Sequence, residues 1–446
     1  MAERIVCLHV LMFSCTPTAD SFSREMTDRK QCSYVLPKKR RRCRMKAFSE
    51  YDYCGEHLLI ADVTLDSDHE RIVCPLDPTH TCFVSLLEKH LKKCNARHKN
   101  NQVYFVENCN SGIQTPIAVH KVALNDLSDE QLEAVITKMD SIYKKHVNEP
   151  HWHLNCAGEE LEEEIDRFSG SSVAVKHLRQ QAALLGLARE HNLLSLEDVC
   201  YAEFGAGRGR LAYWIAKSIP EQGCSVLLVD RAAPRHKFEN KLDDSFTAVE
   251  RIRIDIQHLE LGNVESVKRH RGNVVGFCKH LCGEATDFAL RCMTTSKSSR
   301  DTELHLQGAV MAVCCHHRCS WNSFVGRSHL ELWGISQADF AVLRCLAGWA
   351  TCACSQDGSK SEKDEVDENE QKEGSNVQRV TRLCLSVAER QEIGRRCKLL
   401  LDTARVAYLT QLGFRASVVY FVTPCVTPEN VAILVLPPSQ VTGASD

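Results

Sequence analysis

Between residues 312 and 321 the sequence AVCCHHRCSW places Cys314, Cys315, His316, His317 and Cys319 within six positions. All five are potential metal ligands or reactive groups. Two other stretches show a more regular spacing. Residues 32–57 read C-x10-C-x10-C-x2-H, with Cys32, Cys43, Cys54 and His57. Residues 74–94 read C-x5-H-x9-H-x3-C, with Cys74, His80, His90 and Cys94. Each supplies four thiol or imidazole ligands, the complement of a closed tetrahedral zinc site. His90 and Cys94 stand four apart and share one face of a helix, and Pro75 and Pro78 favour a tight turn between the first two ligands. Such short segments cannot build a core unaided, so metal binding would supply their folding energy. Cys82 is left over as a spare thiol. The 312–321 cluster reads differently: neighbouring residues leaving a strand point to opposite faces, so its five side chains are not expected to surround one ion. An ion held by two of them with Cys282 is an alternative that the spacing leaves open but does not support.

The second chemical signature is CYAEFGAGRGRLAYWIAKS. An apolar strand ends at Glu203, then Gly205, Ala206, Gly207 and Gly209 precede a helix. Glycines there allow positive φ and close approach of a ligand to the backbone. A dinucleotide loop would need glycine at 210, where this chain has Arg210. The E-x-G-x-G-x-G order is similar to the cofactor loop of S-adenosylmethionine-dependent methyltransferases. Asp230, ending SVLLVDR, is placed to accept hydrogen bonds from both ribose hydroxyls. Asp255, with Ile256 after RIRID, is suited to the adenine.

These residues need a scaffold. From 174 to 350, helical patterns alternate with short apolar strands, the mark of a parallel α/β sheet. NVVGFCKHLCGEATD is read as the fourth strand, with Lys279 and His280 at its C-terminal end, and GAVMAVCCHHRCSW as the fifth. Ligands of open parallel sheets bind outside the carboxyl ends of the strands, so both clusters open onto the cofactor rim. The fold class expected is α/β, a Rossmann-like seven-stranded methyltransferase domain closed by an antiparallel hairpin (ASVVYFV and NVAILVL) and preceded by two small zinc modules. Capping boxes, Ser128 with Gln131 and Ser386 with Glu389, open two helices. The organisation expected is an N-terminal extension (1–30), a CCCH module (31–58), a CHHC module (71–97), a helical linker (98–170) and the methyltransferase domain (171–438). That domain carries an insert at 355–377, expected to be disordered because residues 355–375 hold eight acids against three lysines and no aromatic.

The ordered run of both fingers, KHLRQQAALLG, EFGAGRGRL, DIQHL, KHLCG, CCHHRCSW and WATC resembles the eukaryotic tRNA 2'-O-methyltransferases that modify the fourth nucleotide of the acceptor stem. The resemblance spans residue 32 to about 436. It implies S-adenosylmethionine as methyl donor and a tRNA ribose hydroxyl as acceptor, beside the two structural zinc ions expected from the ligand spacing. On this reading Lys279 or His280 handles the hydroxyl, while His316, His317 and Arg318 shape the nucleotide pocket. KHLRQQ opens an amphipathic helix before the first strand, and its Lys176, His177, Arg179 and Gln180 fit either contact with cofactor or tRNA, the reading favoured, or a solvated face.

Composition narrows the rest. The net charge of −3 argues against a polyanion binder acting through overall charge, but residues 29–57 hold nine Lys/Arg against three acids. Lys38, Lys39, Arg40, Arg41, Arg42 and Arg44 surround the second ligand of the first finger; a solvated loop, a nuclear-import signal and an RNA-phosphate surface all fit, and a metal-fixed cationic loop favours RNA. The 24 cysteines, many single within apolar segments, fit reduced thiols in the nucleus or cytoplasm better than secretion. The rival reading is a non-catalytic zinc-finger RNA-binding protein on a degenerate methyltransferase scaffold. Glu203, the loop, Asp230 and Asp255 count against it.

Overall fold

The computed structural model describes residues 30–36, 41–47, 51–58, 70–94, 102–112, 124–153, 159–168, 170–220, 223–232, 234, 237–242, 248–295, 303–355, 383 and 385–438. The 1–29 stretch, Lys38, Lys39, Arg40 and nearly all of the acidic insert lie outside them. The chain divides into two compact units, residues 1–98 and 99–446.

In the first unit, strands β1 (Val35–Leu36) and β2 (Arg41–Arg42) pair antiparallel, as do β3 (Arg71–Cys74) and β4 (Asp77–Phe83). A turn at Pro75–Leu76 joins the second pair. The Leu87–Lys93 helix presents His90, and the Cys94 N–H closes its last turn on the His90 carbonyl at 2.6 Å. Glu56, from the first finger, accepts hydrogen bonds from the Thr81 N–H (2.8 Å) and hydroxyl (3.0 Å) of the second. Arg71 braces the same junction, with Glu56 3.6 Å away and its guanidinium over the Phe83 ring.

The second unit is built on one eight-stranded sheet. Its strands are β5 (His151–Trp152), β6 (Val199–Phe204), β7 (Cys224–Asp230), β8 (Ala248–Arg253), β9 (Asn273–Cys282), β10 (His305–Cys314), β11 (Arg415–Tyr420) and β12 (Val431–Leu436). Their order is β5-β11-β12-β10-β9-β6-β7-β8. The five strands β6 to β10 run parallel; β12 enters antiparallel to β10 and pairs antiparallel with β11. This is the expected seven-stranded arrangement plus one: β5, two residues long, adds in parallel to β11 at the edge. A two-residue strand carries too little periodicity to be read from sequence. Residues 98–170, read as a linker, therefore contribute a strand and the capped Asp129–His146 helix to the domain.

The central strands are buried on both faces, as β6 shows with all six residues buried, and apolar clusters line each side. One holds Leu184, Tyr201, Ile215 and Phe277; the other Leu261, Phe288, Met311 and Ile433. The Val387–Gln411 helix begins at the expected capping box, Ser386 with Glu389, and its apolar side packs against Trp321, Phe340 and Leu346.

Candidate cofactor cleft and acceptor site

The site begins where β6 ends. Gly205, Gly207 and Gly209 all take positive φ (68°, 49° and 74°), so the chain coils tightly before the Arg210–Ser218 helix. A Cβ at Gly209 would meet Glu239 and Leu228 at 2.7 Å, whereas one at Gly207 would meet nothing within 4 Å. Crowding fixes the third glycine; the second faces open space, as a loop that seats a ligand requires. Asp230 lies beside it: one carboxylate oxygen accepts the Gly207 N–H and the other the Ala232 N–H, both at 2.7 Å. Each oxygen keeps a lone pair for a further donor, so the carboxylate fits a vicinal diol. Asp255 ends two residues beyond β8 and caps the Ile256–His258 turn by accepting the Gln257 N–H at 3.0 Å.

Glu203 is 3% exposed and accepts the Ala212 N–H at 2.8 Å. Burial pushes its carboxyl up to about 8, against the pull of that N–H, Arg251 and Lys279. A cation brought into the cleft would favour its ionised form. These features fit S-adenosylmethionine, with Gly205 to Gly209 under the chain, Asp230 at the ribose and Asp255 with Ile256 at the base.

Several bracing residues carried no sequence signature. Arg251 donates to the Gly207 carbonyl at 3.0 Å and to Glu239 at 3.1 Å, holding the glycine loop from below. Asn110, 4% exposed, donates to the Ile256 and Leu259 carbonyls, both at 2.7 Å, and so clasps the Ile256–His258 turn. Asn110 lies 146 positions from Ile256, a separation at which only folding reveals the contact.

On the acceptor side, β9 ends in Lys279, His280, Leu281 and Cys282. His280 has φ 63°, which breaks the strand's alternation and lets Lys279 and His280 both meet the Ser172–Glu190 helix. Lys279 Nζ donates to His177 Nδ1 at 3.2 Å, and His280 Nε2 donates to the Gln180 side-chain oxygen at 3.0 Å. Gln180 is 1% exposed, and its amide nitrogen is a buried donor with no acceptor among the described residues. Burial, with Arg210 and Lys176 nearby, lowers Lys279 to about 8 despite Glu203, and burial likewise holds His177 down at about 4, next to the Lys279 charge. The imidazole is therefore neutral and able to accept from the amine. Of the KHLRQQ residues, His177 and Gln180 meet the end of β9.

The 312–321 cluster is sorted by the fold into separate environments. His316 was expected in the pocket wall; instead it is 2% exposed and turned inward, with Nε2 at 2.8 and 2.9 Å from the Asp402 oxygens. Asp402 also pairs with Arg405, which pairs in turn with Asp287. His316 is thus committed to a buried ion-pair network, for which a turn directly after the strand gives no sequence signal. His317 and Arg318 are exposed. Cys319 is buried and accepts from Arg405 Nη2 at 3.0 Å. Cys314 and Cys315 do not diverge as strand alternation predicts: Cys315 takes a left-handed conformation, φ 51° and ψ 43°, and both thiols gather with Cys282.

In the first unit the two four-ligand sets each converge, all ligand atoms lying within 4.8 Å of one another. Cys54 Sγ stands 3.2 Å from His57 Nδ1 and 4.0 Å from Cys43 Sγ. In the second finger Cys74 and Cys94 are 3.7 Å apart and His80 and His90 3.2 Å apart, through Nε2. Ligands about 2.0–2.3 Å from a shared tetrahedral ion stand roughly 3.3–3.8 Å apart, so both sets fit zinc. Tyr34 stacks on the His57 ring at 4.1 Å and orients it. Cys82 is buried but outside the second set. Of the six cations proposed for RNA, Arg41, Arg42 and Arg44 are described and exposed; Arg42 also donates to the Gln31 carbonyl at 2.8 Å.

Comparison with known proteins agrees with this layout. Residues 179–436 match the model of the family described as Methyltransferase TRM13, residues 30–58 the CCCH zinc finger in TRM13 protein, and residues 71–95 the U11-48K-like CHHC zinc finger. Relatives named tRNA:m(4)X modification enzyme TRM13 homolog occur in Mus musculus, 34% identical over 91% of this chain and 94% of the relative, and in Homo sapiens, 32% identical over the same shares. The Saccharomyces cerevisiae tRNA:m(4)X modification enzyme TRM13 is 28% identical over 92% of this chain and 96% of its own length.

Proposed function

We propose, since the chain belongs to the TRM13 methyltransferase family, that it methylates a ribose 2'-hydroxyl in the acceptor stem of tRNA, at the fourth nucleotide, using S-adenosylmethionine. The observation that carries the reading is the convergence of the open glycine loop, Asp230 and the His177-held Lys279 on one rim of the sheet.

When bound, S-adenosylmethionine would supply a methyl group already activated by its sulfonium. The protein's part is then mostly positioning. The acceptor hydroxyl must face that methyl and lose its proton. Lys279 is the base we assign: with its amine lowered to about 8, a sizeable fraction is neutral near physiological pH, as an efficient base requires. His177 accepts one Nζ hydrogen and so aims the nitrogen lone pair. His280 is held by Gln180 through Nε2 and shapes the pocket beside it, with His317 and Arg318 on the outer rim. Lys38, Lys39, Arg40, Arg41, Arg42 and Arg44 on the first finger suit acceptor-stem phosphates, and two zinc ions would hold the fingers in shape. An RNA duplex is read by backbone and 2'-hydroxyls across its shallow groove, which matches a cationic finger better than a base-reading pocket.

The test is methyl transfer from labelled S-adenosylmethionine to bulk tRNA, followed by alkaline hydrolysis. A 2'-O-methyl group protects its own linkage, so label should appear in an alkali-resistant dinucleotide. Label released wholly in mononucleotides sinks the ribose assignment.

A further inference from the structure

Outside the two fingers, the described residues hold one more group of converging thiols: Cys282 at the end of β9, Cys314 at the end of β10, and Cys315 in the turn that follows. We propose that these three thiolates bind a third zinc ion, which clamps the ends of β9 and β10 together beneath the acceptor site.

The geometry matches that of the fingers. Cys282 and Cys314 are register partners on parallel strands, with Sγ atoms 3.5 Å apart, and all three sulfurs lie within 4.8 Å of one another. Two thiolates sharing one tetrahedral zinc at about 2.3 Å each stand about 3.8 Å apart. The thiol pairs of the two finger sites span 3.7 and 4.0 Å, so the third cluster belongs to the same distance class. It is too close for a [4Fe–4S] cluster, in which each cysteine serves a different iron, and three cysteines fall short of the four that a [2Fe–2S] cluster takes.

The backbone supplies the second argument. In extended conformation Cys315 would send its thiol to the face opposite Cys314. Its left-handed conformation, unfavourable for a residue with a Cβ, brings the thiol back to the same side. A left-handed turn at a non-glycine residue persists only where something over-determines it, and a shared ion would do so. Cys319 and His316, from the same stretch, are already engaged by Arg405 and Asp402, so the chain sorts its ligand-type residues instead of pooling them.

Three protein ligands leave the fourth position to an oxygen donor such as water. Three thiolates on a divalent ion leave a net charge of −1, with the Arg318 guanidinium acting on Cys282. So electron-rich an ion is a poor Lewis acid, which assigns it a clamping role: it would hold the turn after Lys279 and His280, where His280, Gly283 and Cys315 all take positive φ. The site does not depend on the identity of the methyl acceptor, and it is read by metal content alone.

The purified full-length chain, dialysed against metal-free buffer, should contain three zinc ions by elemental mass spectrometry. Cys282→Ser and Cys315→Ala should each contain two; Cys74→Ser should also contain two, and the Cys74→Ser/Cys282→Ser double variant one. Two ions in the unaltered chain would overturn the proposal whatever the variants do, as would an unchanged count in Cys282→Ser. Cobalt exchange gives a further check on the unaltered protein: the thiolate-to-cobalt absorption should exceed that of the five finger cysteines alone, and intensity equal to the fingers' share counts against the site.

Discussion

Lys279 Nζ stands 3.2 Å from His177 Nδ1, two groups 102 positions apart that meet because the Ser172–Glu190 helix packs over the end of β9. Both are shifted towards their neutral forms by burial, Lys279 to about 8 and His177 to about 4. A neutral imidazole that accepts from the amine leaves the amine's lone pair free to take a proton. Glu203, Arg210, Cys314, Lys176 and His280 are the other charged or titratable groups acting on this pair.

As the base proposed above, Lys279 would act in its neutral form, so the methylation rate at saturating substrate should fall about tenfold per pH unit below pH 8 and level off above it. Lys279→Met should lower kcat by roughly 10²–10⁴-fold and abolish that limb, without weakening cofactor binding. His177→Ala should move the limb's midpoint, and His177→Asn should restore part of the rate by accepting from the amine. A pH profile unchanged in Lys279→Met would assign the proton to another group.

The glycine loop predicts a separation of stability from binding. Gly207→Ala enters open space at a φ that costs on the order of 1 kcal/mol, so the melting temperature should move by only a few degrees. Cofactor affinity, measured by calorimetry, should nevertheless drop at least about tenfold, because the methyl group occupies the ligand's approach. Gly209→Ala should do the reverse, destabilising the fold first through contact with Leu228, Glu239 and Arg251. Unimpaired binding in Gly207→Ala would remove this loop from the cofactor site.

His316 should act through the fold. Its removal takes a hydrogen-bond donor from the wholly buried Asp402 and leaves Arg405 as its partner, and a buried polar group that loses its partner costs about 1–3 kcal/mol, more where it is charged. Thermal melting of His316→Ala should show a clear loss, whereas His317→Ala, on the exposed rim, should melt normally and lose tRNA affinity or rate. Burial would raise the Asp402 carboxyl, but His316 and Arg405 outweigh it and hold it below the ordinary carboxylate range. A depressed carboxylate stabilises above its unfolded pKa, and that contribution is lost as pH falls through the folded value. Acid melts should therefore separate the protein from His316→Ala near neutral pH and bring them together at strongly acidic pH.

The fingers should be separable from the cleft. Cys43→Ser or Cys74→Ser removes one ligand from a closed zinc site, and zinc binding supplies most of the folding energy of so small a module. Each should lose one zinc and at least about tenfold in tRNA affinity by gel shift, with S-adenosylmethionine binding retained. Equal tRNA affinity with and without an intact finger would place the RNA surface elsewhere.

What the sequence determined by itself was everything carried by local spacing. Both four-ligand sets, the glycine loop after β6, the acidic residue ending β7 and the two capping boxes are short-range patterns, because a tight turn, a helix start or a shared ion constrains residues a few positions apart. The family resemblance rested on the same stretches. Tertiary structure alone decided which side chains meet across the chain: Asn110 against the Ile256–His258 turn, His177 and Gln180 against Lys279 and His280, and β5 on the sheet edge. It also decided the fate of AVCCHHRCSW. Alternation along a strand predicts diverging side chains, but one left-handed residue, Cys315, cancels that alternation. It turns two thiols towards Cys282 while His316 goes inward to Asp402. No periodicity in the sequence reveals such a turn, because its conformation is imposed by what the distant partners hold in place.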